Sequence, residues 1–189
     1  MSKFITYING IYPISDALQE RLEQDLEVIE LPKRHHLLRE GERCDYGFFV
    51  IEGLLRYYYI KDDEEICSRF ITENHIGISI NSFYTRRPGY ENIETLEPSL
   101  IARMHYDKLQ KIYRDHIEFN YIARVWTEHY SSMTEHWFYL LRKQTAEERY
   151  LFFLDKYPTL LQRIPLTYIA SYLGMNLETL SRIRKKISR

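Results

Sequence analysis

Between residue 37 and about residue 105, short apolar and aromatic runs alternate with polar segments, a pattern typical of β-strands joined by turns. The clearest runs are 46–51, 54–60 and 66–71. Gly53 lies between the first two runs and predicts a hairpin turn there, and the polar segment 61–65 predicts a second turn. Short strands at this spacing predict a small sandwich or barrel.

Helical spacing flanks this region on both sides. Leu18, Leu22 and Leu26 recur every fourth position after Ser15, which predicts a helix capped by the serine hydroxyl. Residues 1–12 show no clear period, so no regular element is predicted for them. The spacing becomes helical again at Tyr106. The chain as a whole therefore predicts an α+β fold.

The longest predicted helix runs from about Ile117 to Lys143, some 27 residues without proline or glycine and about 40 Å long. Residues on one face recur in steps of four and three: Ile122, Trp126, His129, Met133, His136 and Leu140. Neighbouring aromatic residues make this stripe wider than the seam of a two-stranded coiled coil. Such a stripe fits a helix that packs on the barrel with one side and on a twin helix with the other, so a homodimer is expected.

After this helix, Thr145 and Glu148 form the pattern of a capping box, which predicts a new helix from about Ala146 to Lys156. The short junction 141–144 is therefore a candidate hinge. Two further short helices are predicted beyond it. Pro165 suits the first position of one helix, and Gly174 suits its left-handed end.

Asn176 is a good cap for the last helix, in which Leu180, Ile183 and Ile187 form an apolar underside. Two short helices joined by a tight turn predict a helix-turn-helix unit. The opposite face of the last helix carries mostly basic side chains. Residues 159–189 have a net charge of +5 and the preceding residues a net charge of −6, which favours a basic nucleic-acid-binding segment on an acidic body.

The candidate DNA-binding residues on and beside that face are Glu178, Thr179, Arg182, Arg184, Lys185 and Lys186. Arg189 extends the same face. Arg182 can donate two hydrogen bonds to a guanine and Glu178 can accept from a cytosine amine, whereas the lysines and Arg184 suit phosphates. The alternative interpretation is an exposed amphipathic helix in which Glu178 and Arg182 pair four residues apart.

Composition excludes several other classes of protein. A hydrophobic content of 44% can fill a sizeable core, and Cys44 and Cys67 are too few for a disulfide framework. His35 and His36 would point to opposite sides of a strand, so no metal site is expected. No catalytic motif occurs, so neither an enzyme nor a cofactor is expected. No apolar run has the length of a signal peptide or a membrane span, which predicts a cytoplasmic protein without membrane contact.

Two stretches give the chain a specific resemblance to the Crp/Fnr family of bacterial transcription regulators. Residues 48–56 are similar to the family's barrel hairpin, and residues 169–183 are similar to its helix-turn-helix. The segment 145–149 also resembles the helix start after the family's hinge. The resemblance implies a jelly-roll β-barrel over 1–116, a dimerisation helix over 117–143 and a helix-turn-helix DNA-binding domain over 144–189. It places Glu178 and Arg182 where family members contact base edges.

The resemblance departs from cyclic-nucleotide-binding members at their ligand pocket. Those members have a Gly-Glu pair, followed some ten residues later by an arginine and a hydroxyl residue, which together hold ribose and phosphate. Here Gly77 is followed by Ile78, and Arg87 precedes Pro88. Gly77, Arg86 and Arg87 are the candidate effector residues, and control by cyclic AMP is not expected.

The expected function is that of a Crp/Fnr-type transcription regulator that reads double-stranded DNA as a homodimer. The identity of a small-molecule effector and a contact with RNA polymerase are left open. The alternative from a different class is a ligand-binding or interaction module whose barrel persists but which no longer binds DNA.

Overall fold

A computed structural model describes residues 2–187 of the chain and has the predicted α+β composition. The elements, in chain order, are α1 Ser2–Ile11, α2 Asp16–Asp25, β1 Glu27–Leu31, β2 His36–Leu38, β3 Tyr46–Glu52, β4 Leu55–Lys61, β5 Glu64–Ile71, β6 Ile76–Gly77, α3 Ile80–Thr85, β7 Asn92–Thr95, β8 Ser99–His105, α4 Tyr106–Asp115, α5 Ile117–Lys143, α6 Ala146–Lys156, a 3₁₀ turn Leu160–Gln162, α7 Leu166–Tyr172 and α8 Leu177–Ile187.

The strands form two four-stranded sheets, with orders β1-β8-β3-β6 and β2-β7-β4-β5. The ladders β1–β8, β3–β8, β3–β6 and β2–β7 are antiparallel. Side chains alternate along β3, so that Phe48 and Val50 belong to one core and Phe49 and Ile51 to another. The first of these cores also contains residues of β4 and β7, so it lies between the two sheets, whereas the second packs sheet residues against α1, α2, α4 and α5.

The predicted hairpin at Gly53 is wrong, because β3 and β4 belong to different sheets. Strand β3 pairs with β8, a partner about fifty residues away that local spacing does not reveal. Gly53 does occupy a tight turn: its φ is +103°, and a Cβ built there would lie 2.7 Å from the Cβ of Ser99. Glycine is therefore required where the chain passes from one sheet to the other.

The second predicted turn is confirmed and joins the neighbouring strands β4 and β5. Asp62 and Asp63 both have positive φ, of 51° and 63°. Two residues in this conformation form a type I′ turn, which matches the twist of a hairpin.

Helices α2, α5 and α6 are present where the local spacing and capping residues predicted them. The hydroxyl of Ser15 accepts from the N–H of Leu18 at 3.3 Å, as expected of a cap, and it donates to Glu118 at 2.7 Å. An element missing from the prediction is α1. Phe4, Ile5 and Ile8 are buried at helical spacing, but the β-branched residues and Gly10 in this segment weaken its helical signal.

The chain divides into two compact units. One comprises the residues up to 57 together with 70–128, and the other comprises 58–69 together with 129–189. The outer part of the β4–β5 hairpin therefore belongs with the C-terminal helices. Within the described residues, no helix combines the length and apolarity needed to cross a bilayer.

Candidate DNA-binding helix and effector region

The turn between α7 and α8 has the geometry of a Schellman motif. Gly174 has a φ of +63°, its N–H donates to Ser171 O at 3.0 Å, and the N–H of Met175 donates to Ala170 O at 3.0 Å. These bonds satisfy carbonyls that the end of a helix leaves without partners. The predicted helix, turn and helix are therefore present, with Pro165 as the cap of α7 rather than its first residue.

Helix α8 is fixed at its start and along its underside. The side-chain oxygen of Asn176 accepts from the N–H of Thr179 at 2.8 Å, which is the predicted cap. Leu180 and Ile183 are buried, and α8 packs against both α6 and α7. The opposite face is thereby held in a defined orientation within this unit.

Four of the predicted DNA-binding residues are exposed: Glu178, Arg182 and Lys185 on that face, and Lys186 beside it. Within the part of the chain that the structure describes, Glu178 and Arg182 form no ion pair with each other, so the predicted alternative pairing is not seen. Instead, a guanidinium N–H of Arg182 donates to the hydroxyl of Thr179 at 3.4 Å. Among residues 2–187, no carboxylate therefore neutralises Arg182.

The other basic residues of the helix differ from Arg182 and Lys185. The ammonium of Lys186 lies 2.6 Å from a carboxylate oxygen of Glu147 in α6, a salt bridge that partly offsets its charge. Arg184 is half-buried and interacts with another group. Arg189 lies outside the described residues. Local spacing does not reveal Glu147 as the partner of Lys186, because the two residues are thirty-nine positions apart.

Arg149 is a residue whose role sequence reasoning missed. One guanidinium nitrogen donates to the carbonyls of Gln144 at 3.0 Å and Leu141 at 3.4 Å, and the other donates to the carbonyl of Gly174 at 3.4 Å. A single side chain therefore joins the predicted hinge to the turn between α7 and α8. The sequence placed Arg149 in the helix after the hinge but could not supply its distant partner.

The tip of the β4–β5 hairpin also contacts α7. The N–H of Cys67 donates to the hydroxyl of Ser171 at 2.9 Å, and that hydroxyl donates to the carbonyl of Glu65 at 3.2 Å. Nearby, Trp137 of α5 stacks on Tyr172, with ring centroids 4.3 Å apart and planes within 9°. Burial raises the pKa of Tyr172 well above its usual value, so its hydroxyl stays protonated. These contacts fix α7 between the hairpin tip and α5.

The candidate effector residues differ in their surroundings. Gly77 is buried, and a Cβ there would lie 2.5 Å from the hydroxyl of Tyr57. The guanidinium of Arg86 pairs with Asp45, donates to the carbonyl of Cys44 at 3.0 Å and lies 4.0 Å from the ring centre of Tyr106. Arg87 is exposed. Arg86 is thus already engaged by groups of the chain itself.

A carboxylate lies at the start of α3, the short helix that follows Gly77. Ser79 occupies the N-cap position of this helix, and its hydroxyl donates to Glu91 at 2.9 Å instead of capping the helix. Ile78, at the position where a ribose-binding carboxylate would be expected, is buried. An anion is therefore already in place, and the apolar Ile78 cannot accept from a sugar hydroxyl.

Comparison with known proteins shows which domains and structures this architecture resembles. The cyclic nucleotide-binding domain family matches residues 28–116. The c-di-GMP-responsive global regulator CLP of Xanthomonas campestris has a similar structure, at 17% identity, with a TM-score of 0.74 and 92% of each chain covered. FixK2 of Bradyrhizobium japonicum is 20% identical, with a TM-score of 0.73, and the match covers 86% of this chain and 84% of FixK2.

A Crp/Fnr family regulator from Eubacterium rectale is 16% identical, with a TM-score of 0.70 over 97% of this chain and 88% of that one. Among curated protein sequences, none matches the chain significantly. Residues 28–116 are thus similar to a cyclic nucleotide-binding domain. The fold of the chain as a whole is that of the Crp/Fnr regulators, which confirms the predicted resemblance at the level of the fold.

Proposed function

We propose that this protein is a sequence-specific, DNA-binding transcription regulator of the Crp/Fnr type. The observation that carries the proposal is the exposed face of α8, on which Arg182 and Lys185 are free of carboxylate partners among the described residues. The cap at Asn176 and the Schellman turn at Gly174 support a fixed helix rather than a frayed end. Residues 144–189 would form the DNA-binding domain and 1–116 the regulatory barrel, and the protein would act in the cytoplasm.

In this mechanism α8 lies in the major groove of B-DNA. Arg182 donates to a guanine, and its contact with the Thr179 hydroxyl restricts its rotamers before binding. Glu178 accepts from a cytosine amine. Lys185, Arg184 and Lys186 lie further along the helix toward the phosphates, which contribute affinity but little sequence preference.

Selection from a random DNA pool tests this proposal directly. A dimer should enrich a palindrome whose half-sites are about 10 base pairs apart from centre to centre. On the selected site, Arg182→Ala should weaken binding by about 1–3 kcal/mol and relax the preference at one position. If Arg182→Ala weakens binding equally for all DNA sequences, Arg182 does not read a base. The absence of any gel shift at low salt would favour the alternative of a module without DNA binding.

Lys185 and Lys186 form a matched pair for the salt dependence of binding. Lys185→Ala should reduce the slope of log affinity against log salt by about one unit, because a phosphate contact releases about one counterion. Lys186→Ala should reduce it less, because Lys186 must leave Glu147 at 2.6 Å to reach a phosphate. Equal slopes for the two variants would show that the Glu147 contact has no influence on DNA binding.

We further propose that the regulator acts as a homodimer through α5. Phe138 and Tyr139 are exposed on this helix, with 58% and 54% of their surfaces accessible, and Met133 is half-buried. Ile122 and Leu140, which belong to the predicted stripe, are buried within the chain itself. On the stripe itself, the partner helix would therefore contact the middle, where the half-buried Met133 leaves apolar surface accessible.

Regulation by cyclic AMP is not part of this proposal. Ile78 offers no acceptor for a ribose hydroxyl, Arg86 is paired with Asp45, and Glu91 would repel a phosphate at the start of α3. Titration calorimetry with cyclic AMP or cyclic GMP should give no saturable isotherm at micromolar concentrations. A saturable isotherm with either nucleotide would refute this part of the proposal.

A further inference from the structure

An apolar cavity of about 90 Å³ lies within the first compact unit, and its lining combines residues of both cores. Phe49, Ala102 and Met104 contribute to it from the outer face of the first sheet. Helices α1, α4 and α5 close the other side with Ile8, Leu109, Tyr113, Phe119, Ile122 and Trp126. The cavity is thus bounded by the barrel and by the helix that we propose as the dimer contact.

No charged side chain lines this cavity in the part of the chain that the structure describes. The lining residues whose side chains carry a hydrogen-bonding O–H or N–H group are Tyr84, Tyr113 and Trp126. Tyr84 is 44% exposed, which places it at the rim. Ile78, the residue that takes the place of the ribose-binding carboxylate expected from the resemblance, is also part of the lining. The segment after Gly77 therefore presents apolar groups to this space.

Size and lining together restrict the occupant. A cavity of about 150 Å³ lined by leucine, isoleucine and phenylalanine stays dry and binds benzene. A cavity of about 90 Å³ admits at most one ring or a short alkyl chain, which excludes a nucleotide or a peptide segment. An ion would lose its hydration without gaining a charged partner, so an anion or a cation is disfavoured.

We propose that this cavity binds a small uncharged apolar molecule, of the size of a single aromatic ring, and that its occupancy repositions α5. The second part follows from the lining, because Phe119, Ile122, Ala123 and Trp126 all belong to the first turns of α5. This helix continues without interruption to Lys143, directly before the predicted hinge. Any effect of the ligand on DNA binding rests on the proposed function, whereas the binding site itself does not.

Trp126 provides the readout for binding. The chain has two tryptophans, and Trp137→Phe leaves Trp126 as the only one while keeping a ring for the stack on Tyr172. Toluene, titrated into this variant, should change the fluorescence of Trp126 to saturation. Benzoate has the same ring but carries a charge, so it should bind at least about tenfold more weakly. A fluorescence response that stays linear up to the solubility limit of toluene would overturn the proposal.

Two cavity-filling variants locate the site. Ala123→Leu fills the cavity from α5, and Gly47→Ala adds a methyl from β3, where a Cβ would make only an ordinary contact of 3.7 Å with Ile78. Each should weaken toluene binding, the leucine variant by about tenfold or more. Ser131→Leu adds the same leucine at an exposed position of α5 and should leave binding unchanged. Unchanged toluene affinity in both filling variants, with their circular dichroism spectra intact, would place the ligand elsewhere and refute the proposal.

DNA binding separates this proposal from the proposed function. If toluene saturates Trp126 and changes the affinity for the selected DNA in wild type but not in Ala123→Leu, the site and its coupling to α5 are both supported. If toluene binds but leaves the DNA affinity unchanged, the coupling is refuted and the site stands. If the protein binds no DNA with or without toluene, the proposed function fails, and the fluorescence titration still decides whether the site exists.

Discussion

Arg149 offers a test of whether the hinge and the turn of the helix-turn-helix are energetically linked. Its guanidinium donates to the carbonyls of Leu141 and Gln144 at the end of α5 and to that of Gly174 between α7 and α8. The change Arg149→Met keeps most of the apolar stem and removes all three hydrogen bonds. The remaining carbonyls then have to find water or stay without partners.

The expected effect follows from the three distances. A well-formed hydrogen bond from a charged donor contributes about 1.5–3 kcal/mol. The bond to Gln144, at 3.0 Å, is of this kind, whereas the two bonds at 3.4 Å are long and weaker. The side chain is half-buried, so water compensates for part of the loss. We therefore expect the turn to become less stable by about 2 kcal/mol, a factor of about 30 in its opening equilibrium.

Native-state hydrogen exchange measures this opening equilibrium at the turn between α7 and α8 itself. The N–H groups of Gly174 and Met175 are bonded to Ser171 and Ala170, so their exchange reports opening of the turn. Both should exchange about 30-fold faster in Arg149→Met than in wild type. Circular dichroism should remain that of a folded protein.

Arg142→Met is the matched control. Arg142 is exposed in the last turn of α5 and makes no hydrogen bond or ion pair with any other described residue. Its replacement should leave the exchange of both amides within about twofold of wild type. If the two variants exchange at the same rate, Arg149 does not stabilise the turn, and the inferred link between hinge and turn is wrong.

Two further predictions concern the dimer and the glycine turns. Met133→Glu should shift the mass measured by light scattering from dimer to monomer at tens of micromolar, whereas the control Met133→Leu should not. A wild-type protein that is already monomeric at this concentration would contradict the proposed dimer. Gly53→Ala should destabilise the fold by about 3 kcal/mol or more, because it adds an overlap with Ser99 to the strain of a positive φ. Gly174→Ala should lower the free energy of unfolding by only about 1 kcal/mol, because its Cβ would make an ordinary contact of 3.6 Å with Leu141. Equal losses of stability for the two variants in chemical denaturation would refute the steric argument.

The elements that the sequence predicted correctly are those whose signals are local. Thr145 and Glu148 exchange both bonds of a capping box, Asn176 caps α8, and Gly174 has the left-handed conformation expected of a helix end. In each case the residue types and their partners lie within a few positions of one another. Spacing alone therefore contains the information needed.

The failures concern partners that lie far apart in the chain. The turn at Gly53 was predicted as a hairpin because adjacent strands usually pair, but β3 pairs with β8 and β4 lies in the other sheet. The role of Arg149 depends on the carbonyl of Gly174, twenty-five positions away. The cavity next to α5 is formed by residues from α1 to α5, and no periodic pattern indicates an incompletely filled space.

Charge gives the clearest case in which the sequence and the structure lead to different expectations for function. The net charge of +5 over residues 159–189 implies a strongly basic DNA-binding surface. However, Glu147 lies before that segment and pairs with Lys186, and Arg184 is half-buried. The described face of α8 therefore presents mainly Arg182 and Lys185 as cations free of carboxylates. Each phosphate contact contributes about 0.9 to the salt slope, so nonspecific attraction should be modest. Under the proposed function, discrimination among DNA sites would then come largely from the base contacts of Arg182 and Glu178, together with the doubling of those contacts in the proposed dimer.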